Sequence, residues 1–179
     1  MRRRHTREEY LDLVGRIRES IPGVTLSTDM IVGFPGQTAD DFDQTMSLTA
    51  AARYASMFSF KYSPRPNTLA AKRMTDDVSE PDKTERIVAL QALQREVQTR
   101  LMDAAVGSVV EVLVDSVSRH QAGHVSGRSA GNTVVSFSVD GGHGEAGAAW
   151  LGRTAHVRIT RATPHKLVGE LATNGILSA

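Results

Sequence analysis

The stretch Ser27-Thr-Asp-Met-Ile-Val-Gly-Phe-Pro-Gly-Gln-Thr-Ala-Asp-Asp-Phe42 reads as a buried strand, a tight turn and the start of a capped helix. Gly33 and Gly36 bracket the turn, where a missing Cβ lets the backbone bend sharply or come close to a ligand. Thr38 with Asp41 three residues on has capping-box spacing, and the acid falls in the first turn, facing the positive helix end. A strand-turn-helix of this kind presents backbone amides at the carboxyl end of a strand, where α/β folds bind ligands.

Working outward, residues 1–98 have α/β grammar. Thr6 with Glu9 repeats the capping-box spacing, and Tyr10, Leu13, Val14, Ile17 and Ile21 follow at helical intervals until Pro22-Gly23. The pattern predicts strands over Val24–Val32 and Ala55–Tyr62, with a helix from about Asp40 to Arg53 between them. The prolines of Ser63-Pro-Arg-Pro-Asn-Thr68 forbid helix and central strand there. Ser79 and Pro81 open a long helix, along which Ile87, Leu90, Leu93, Val97 and Leu101 share a face.

The grammar changes after Gly107. Val109–Val114, Val134–Val139, Ala155–Thr160 and Lys166–Leu171 are short strand-like runs with glycine punctuation, which predicts a small antiparallel barrel. The segment Asp140–Ala149 is a flexible loop by composition. The boundary between the two parts is expected near residues 100–107.

Composition narrows the chemistry. The 179 residues are 40% hydrophobic, enough for a packed core. The 21 basic and 20 acidic residues leave a net charge of +1, which says little about partners. With no cysteine, these residues hold no disulfide, thiolate metal site, thiol nucleophile or cysteine-ligated cluster. The basic start Met1-Arg-Arg-Arg-His5 leads into no apolar run, so neither a signal peptide nor a membrane span is expected, and the cytoplasm is the default location.

Three motifs resemble the C-terminal portion of the barrel of the radical S-adenosylmethionine methylthiotransferases: Met1-Arg-Arg-Arg-His-Thr-Arg-Glu-Glu-Tyr-Leu11, Ser27–Gly36 and Phe60-Lys-Tyr-Ser-Pro-Arg-Pro-Asn-Thr68. The second part resembles the TRAM domain, a small RNA-binding β-barrel, through Gly107, Val110–Val114, Gly127-Arg128, Asn132, Val134-Val135, Phe137, Gly152, Val157, Ile159-Thr160 and Leu167–Leu171. The implied fold class is α/β: a partial radical SAM (β/α) barrel over 1–100, an OB-like antiparallel TRAM barrel over 101–173, and a tail over 174–179. Phe60–Pro66 resembles the tRNA branch, which adds a methylthio group to C2 of isopentenyl-modified adenosine beside the anticodon. The branch acting on a ribosomal protein is the near alternative. Gln37, Asn67 and Leu69 depart from the usual glutamate, glycine and proline.

The family uses S-adenosylmethionine and [4Fe-4S] clusters, and its cluster cysteines lie upstream of the matched region. The resemblance therefore implies that these residues alone are inactive, bind neither cofactor stably, and need a separate N-terminal fragment. A TRAM module that holds tRNA without chemistry is a second reading, and a decayed gene product a third.

The resemblance places Thr28, Asp29, Gly33, Phe34 and Gly36 beside S-adenosylmethionine. Asp29 is alternatively a mid-strand carboxylate satisfied by its neighbours, and the turn alternatively structural. Arg3, with Arg2 and Arg4, would hold the cofactor's carboxylate, or else belong to a frayed terminus. Tyr62, Ser63 and Arg65 follow a strand at the active-site end. Arg128, Arg153, Arg158, Arg161 and Lys166 are the RNA-facing cations, the last four forming an acid-free stripe between Leu151 and Leu167. Trp150 is the better base-stacking residue, Phe137 being expected in the core. No catalytic residue and no metal site is assigned; His120 and His124 lie in a turn-like stretch.

The two strands of residues 1–98 leave unpaired edges and an open apolar face, so this part is expected not to pack well by itself. Hydrogen exchange on the monomer should show weak amide protection over Val24–Val32. Strong protection there with cooperative unfolding would refute this.

Overall fold

The computed structural model describes residues 4–118, 121, 123–139 and 145–177. Two compact units divide the chain at Gln98/Thr99.

In the first unit, helix α1 (Arg7–Ser20) starts at a complete capping box of Thr6 and Glu9, and α2 (Ala39–Ala52) at one of Thr38 and Asp41. Strands β1 (Ser27–Val32) and β2 (Ser56–Lys61) pair in parallel, from Ser27 opposite Ser56 to Val32 opposite Lys61. The short helix α3 (Leu69–Arg73) follows the proline loop, capped by Thr68. The long helix α4 (Glu80–Ala104) begins where Ser79 accepts the Asp82 amide.

Helices cover one face of this sheet. Ser59 receives a hydrogen bond from Gln91 of α4, and Lys61 reaches Glu80. Val14, Val32, Ala52, Tyr54, Leu90 and Val97 are buried. The Tyr54 hydroxyl lies 2.8 Å from that of Tyr10, and Gln94 donates to the Tyr54 carbonyl. The other face is open: Phe58 is 65% exposed and Phe60 53%.

In the second unit, β3 (Val109–Val117), β4 (His124–Ser129), β5 (Val134–Ser138), β6 (Thr154–Ala162) and β7 (Leu167–Leu177) close a barrel in the order β3-β4-β5-β7-β6. The barrel is antiparallel as expected in four of its five strand pairs, and the remaining pair, β5 with β7, is parallel and closes the ring. The sequence pattern also misses β4. Its alternation is interrupted by Gly127, where a Cβ would lie 2.1 Å from the Leu113 carbonyl oxygen. Only glycine permits that close crossing of β3 and β4. Strand β7 runs through Leu177, into the segment expected as a tail, because Ile176 and Leu177 pair with Ala155 and Thr154. Part of the expected flexible loop is the short helix α5 (Glu145–Ala148); residues 140–144 lie outside the described residues.

The barrel core comprises Val112, Val114, Val125, Val135, Phe137, Val139, Ala155, Val157, Ile159 and Leu167. Trp150 sets its ring edge-on to Phe137, 6.3 Å between centroids. Truncating the fully buried Phe137 removes its transfer free energy and leaves a cavity. Phe137→Ala should cost about 3–5 kcal/mol, read as a lower urea midpoint for the barrel by Trp150 emission and far-ultraviolet dichroism.

Candidate functional site

The turn at the end of β1 is built on a buried lysine. Gly33 has φ +69° and Gly36 φ +81°, both left-handed. A Cβ on Gly33 would lie 2.3 Å from Cγ of Lys83, whose stem passes directly beneath it. Lys83 is only 2% exposed, and its Nζ lies 2.7 Å from an Asp76 carboxylate oxygen and 3.2 Å from one of Glu80. The same ammonium sits 5.8 Å from the Tyr62 ring centroid, and Phe34 packs edge-on against Tyr62 at 5.1 Å.

Side chains already accept both glycine amides. The Gly33 N–H donates to Gln37 Oε1 at 2.6 Å, and the Gly36 N–H to Asp77 Oδ1 at 2.7 Å. Arg86 of α4 donates to the carbonyl of Gln37 and to its Oε1. The sequence reading expected these amides to face a ligand; the structure has them bracing the turn. Lys83, Asp76, Asp77 and Arg86 were not legible as site residues. Asp77 is 41 positions from Gly36 in sequence, and nothing in local spacing joins them.

Charge agrees with the geometry. The Asp76 hydrogen bond holds the Lys83 ammonium above its ordinary value against the pull of burial, and Glu80 adds to it. Lys61 and then Lys83 hold the Glu80 carboxyl below its ordinary range. Burial, and then the Tyr10 hydroxyl, push the Tyr54 phenol upward.

Thr28 and Asp29 do not point the same way. Adjacent strand residues face opposite sides of a sheet. Thr28 is half-buried on the face toward the helices, where it acts on the Tyr54 phenol, whereas Asp29 lies on the open face opposite exposed Phe58. The two residues therefore stand on different faces of the sheet, and the unpaired buried carboxylate does not arise, because Asp29 is exposed. Arg3 lies outside the described residues, as do His120 and His143. Arg65 is exposed in the proline loop that follows β2.

On the barrel, a β-bulge decides which cations share a face. Arg158 and Arg161 are three residues apart and would face opposite sides of a regular strand. Between Ile159 and Arg161 the register slips, so that Ile159 opposes Gly169 and Arg161 opposes Val168. The extra residue returns Arg161 to the exterior, and both arginines are exposed. Arg158 stands opposite Glu170 and donates to the Gly107 carbonyl. Arg128 leans on Asp115 at 3.6 Å and bonds Asn132. Arg153 is exposed just ahead of β6, and Lys166 Nζ reaches Ser136 Oγ at 3.4 Å. Trp150 is half-buried, with its ring packed against Phe137 of the core.

Residues 103–172, which contain β3 to β6 and the first half of β7, match the TRAM domain family. The barrel is a TRAM domain. Beyond it, the similarity extends across both units. The chain is 45% identical over 170 residues to the tRNA-2-methylthio-N(6)-dimethylallyladenosine synthase of Chlorobium chlorochromatii, covering 95% of this chain and 36% of that protein. It is 43% identical over 172 residues to the synthase of the same name from Myxococcus xanthus, again 95% against 36%. The Anoxybacillus flavithermus synthase is 42% identical over 176 residues, 98% of this chain and 32% of its own length. The chain spans about a third of the length of these curated relatives and is similar to their C-terminal portion, the part that ends in the TRAM domain.

An iron–sulfur cluster does not fit these residues. The sequence has no cysteine, and among the described residues no three His, Asp or Glu side chains gather in a way that would hold a metal ion. Among the described residues no helix is long and apolar enough to cross a membrane.

The Lys83 brace should have a defined pH window. Glu80, depressed, contributes stability above its ordinary 4.5 that is lost as pH falls through its lower folded value. Lys83, raised, contributes below its ordinary 10.5 and loses this as pH climbs through its higher folded value. Lys83→Met should therefore lower the Tm of the first unit most near neutral pH. The difference from wild type should shrink below about pH 4, as Glu80 protonates; a pH-independent difference would contradict the brace.

Proposed function

We propose that these residues form the C-terminal part of a tRNA methylthiotransferase, with the TRAM domain holding tRNA and the first unit forming one wall of a cofactor site. The observation that carries the reading is similarity over 95% of the chain, across both units, to synthases whose name states that chemistry. The modified base would be an isopentenyl-type adenosine, as in the relatives' name, and the setting the cytoplasm, where tRNA is modified.

On this reading the open face of β1 and β2 looks toward S-adenosylmethionine. Asp29 stands on that face, and Gly33, Phe34 and Gly36 shape its upper rim. Arg3 would reach the cofactor's carboxylate. Thr28 acts behind the sheet, as a positioning residue through Tyr54. The braced turn offers backbone shape more than free donors, since side chains already take the Gly33 and Gly36 amides.

Because no cluster fits here, no chemical step is assigned to this chain alone. A cluster-bearing N-terminal partner segment would supply the radical chemistry, and these residues alone would be inactive. The absence of cysteine also favours a second reading, a non-catalytic tRNA-binding module. Purification from the source organism separates the two: an iron-containing complex supports the enzyme, and an iron-free protein bound to tRNA supports the module.

Binding itself is tested by titrating tRNA against the full chain at two salt concentrations. Affinity should fall as salt rises, because phosphate contacts release counterions. Arg158→Glu with Arg161→Glu should weaken binding roughly tenfold and flatten the salt dependence. Salt-insensitive binding would reject the phosphate-contact reading, and equal binding by the double variant would reject the β6 patch.

A further inference from the structure

Five residues stand abreast on the outside of the TRAM barrel, one from each strand. Arg161 of β6 opposes Val168 of β7, and Val168 opposes Ser136 of β5. Ser136 opposes Ser126 of β4, and Ser126 opposes Ser116 of β3. Neighbouring strands lie about 4.8 Å apart, so the row is roughly 19 Å long. Two bulges create it. The slip after Ile159 turns Arg161 outward, and the slip between Val114 and Ser116 lets Asp115 bow out and brings Ser116 level with Ser126.

The row has a graded chemistry. Arg161 stands at one end, and Lys166, just ahead of β7, sets its ammonium 3.4 Å from Ser136 Oγ. Three hydroxyls follow, those of Ser116 and Ser126 being 2.8 Å apart. Gln121, His124, Ser126, Ser136 and Lys166 line a cavity of about 330 Å³ along it. Of the nearby acids, Asp115 lies 3.6 Å from Arg128 and accepts from Ser116 Oγ at 3.0 Å, and Glu170 stands opposite Arg158 in the strand register. None of the five residues is aromatic, so the row suits a sugar–phosphate backbone rather than stacked bases.

A serine hydroxyl both donates and accepts, whereas a phosphate oxygen only accepts. Its matching partner on a nucleic acid is the ribose 2′-hydroxyl, also donor and acceptor, the group that distinguishes RNA from DNA. We infer that this row is a track for the backbone of an unpaired RNA segment, with Arg161 and Lys166 on phosphates and Ser136, Ser126 and Ser116 on 2′-hydroxyls. The TRAM domain thereby discriminates RNA from DNA by its serines. This inference rests on the RNA-binding reading above and adds the path and the source of selectivity.

The test uses the full chain and two labelled strands of one unpaired sequence, an oligoribonucleotide of about 12 nucleotides and its deoxy counterpart. Wild type should prefer the RNA by about tenfold, the worth of one or two net hydrogen bonds. Ser126→Ala with Ser136→Ala should abolish the preference by weakening RNA binding and leaving DNA binding unchanged. Ser126→Thr with Ser136→Thr, which keeps the hydroxyls, should restore it. Lys166→Gln should weaken both strands alike. Equal wild-type affinity for RNA and DNA, or an alanine variant that keeps the preference, overturns the inference. If the serine variants change nothing while charge reversal at Arg158 and Arg161 still weakens tRNA binding, only the track falls. If the wild-type chain binds no RNA, the RNA-binding reading falls with it.

Discussion

Closure of the five-stranded barrel is the constraint on which the second unit depends. Once β5 pairs with β7, every strand has two neighbours and no edge is left to seek a partner. Closure also fixes side-chain parity around the ring. The valines, Phe137 and Ile159 must point inward to fill the core, and whatever alternates with them must point out. The outer surface is therefore a consequence of the inner one. The bulges in β3 and β6 adjust that parity locally, and through them Arg161 and the hydroxyls of three further strands come level.

The first unit has no such closure. Two parallel strands carry helices on one face and leave Phe58 and Phe60 open on the other. Its local order comes instead from a polar scaffold under the Gly33–Gly36 turn. Lys83 lies where only glycine leaves room above it, and two acids satisfy its ammonium. A buried lysine without those partners would be costly, so the turn, the start of α4 and the acids before it stand or fall together. The curated relatives are close to three times as long as this chain.

Much of this was legible. The capping boxes at Thr6 and Thr38 mark helix starts through spacing alone. The parallel β1 and β2 announce themselves by apolar runs bounded by turn residues, and Phe137 by its place in an alternating strand. What escaped had physical reasons. Strand β4 contains a glycine demanded by a close chain crossing, which weakens the strand signal at the position where pairing is tightest. The end of β7 has weak strand character and is held by its pairing with β6. The perpendicular packing of Trp150 on Phe137 was likewise hidden, because sequence does not reveal which ring a tryptophan will meet.

By itself, the sequence determined the two-part organisation, the helix starts, the strand-turn-helix at Ser27–Phe42 and the exclusion of a cysteine-held cluster. These follow from local spacing and composition, which act over a few residues. Only the tertiary structure decided which groups meet: Lys83 beneath Gly33, Asp77 on the Gly36 amide, Thr28 and Asp29 on opposite faces, and Arg161 level with three serines. Those meetings depend on register, bulges and chain crossings between distant segments, and a one-residue slip in any of them would turn a different set of side chains outward.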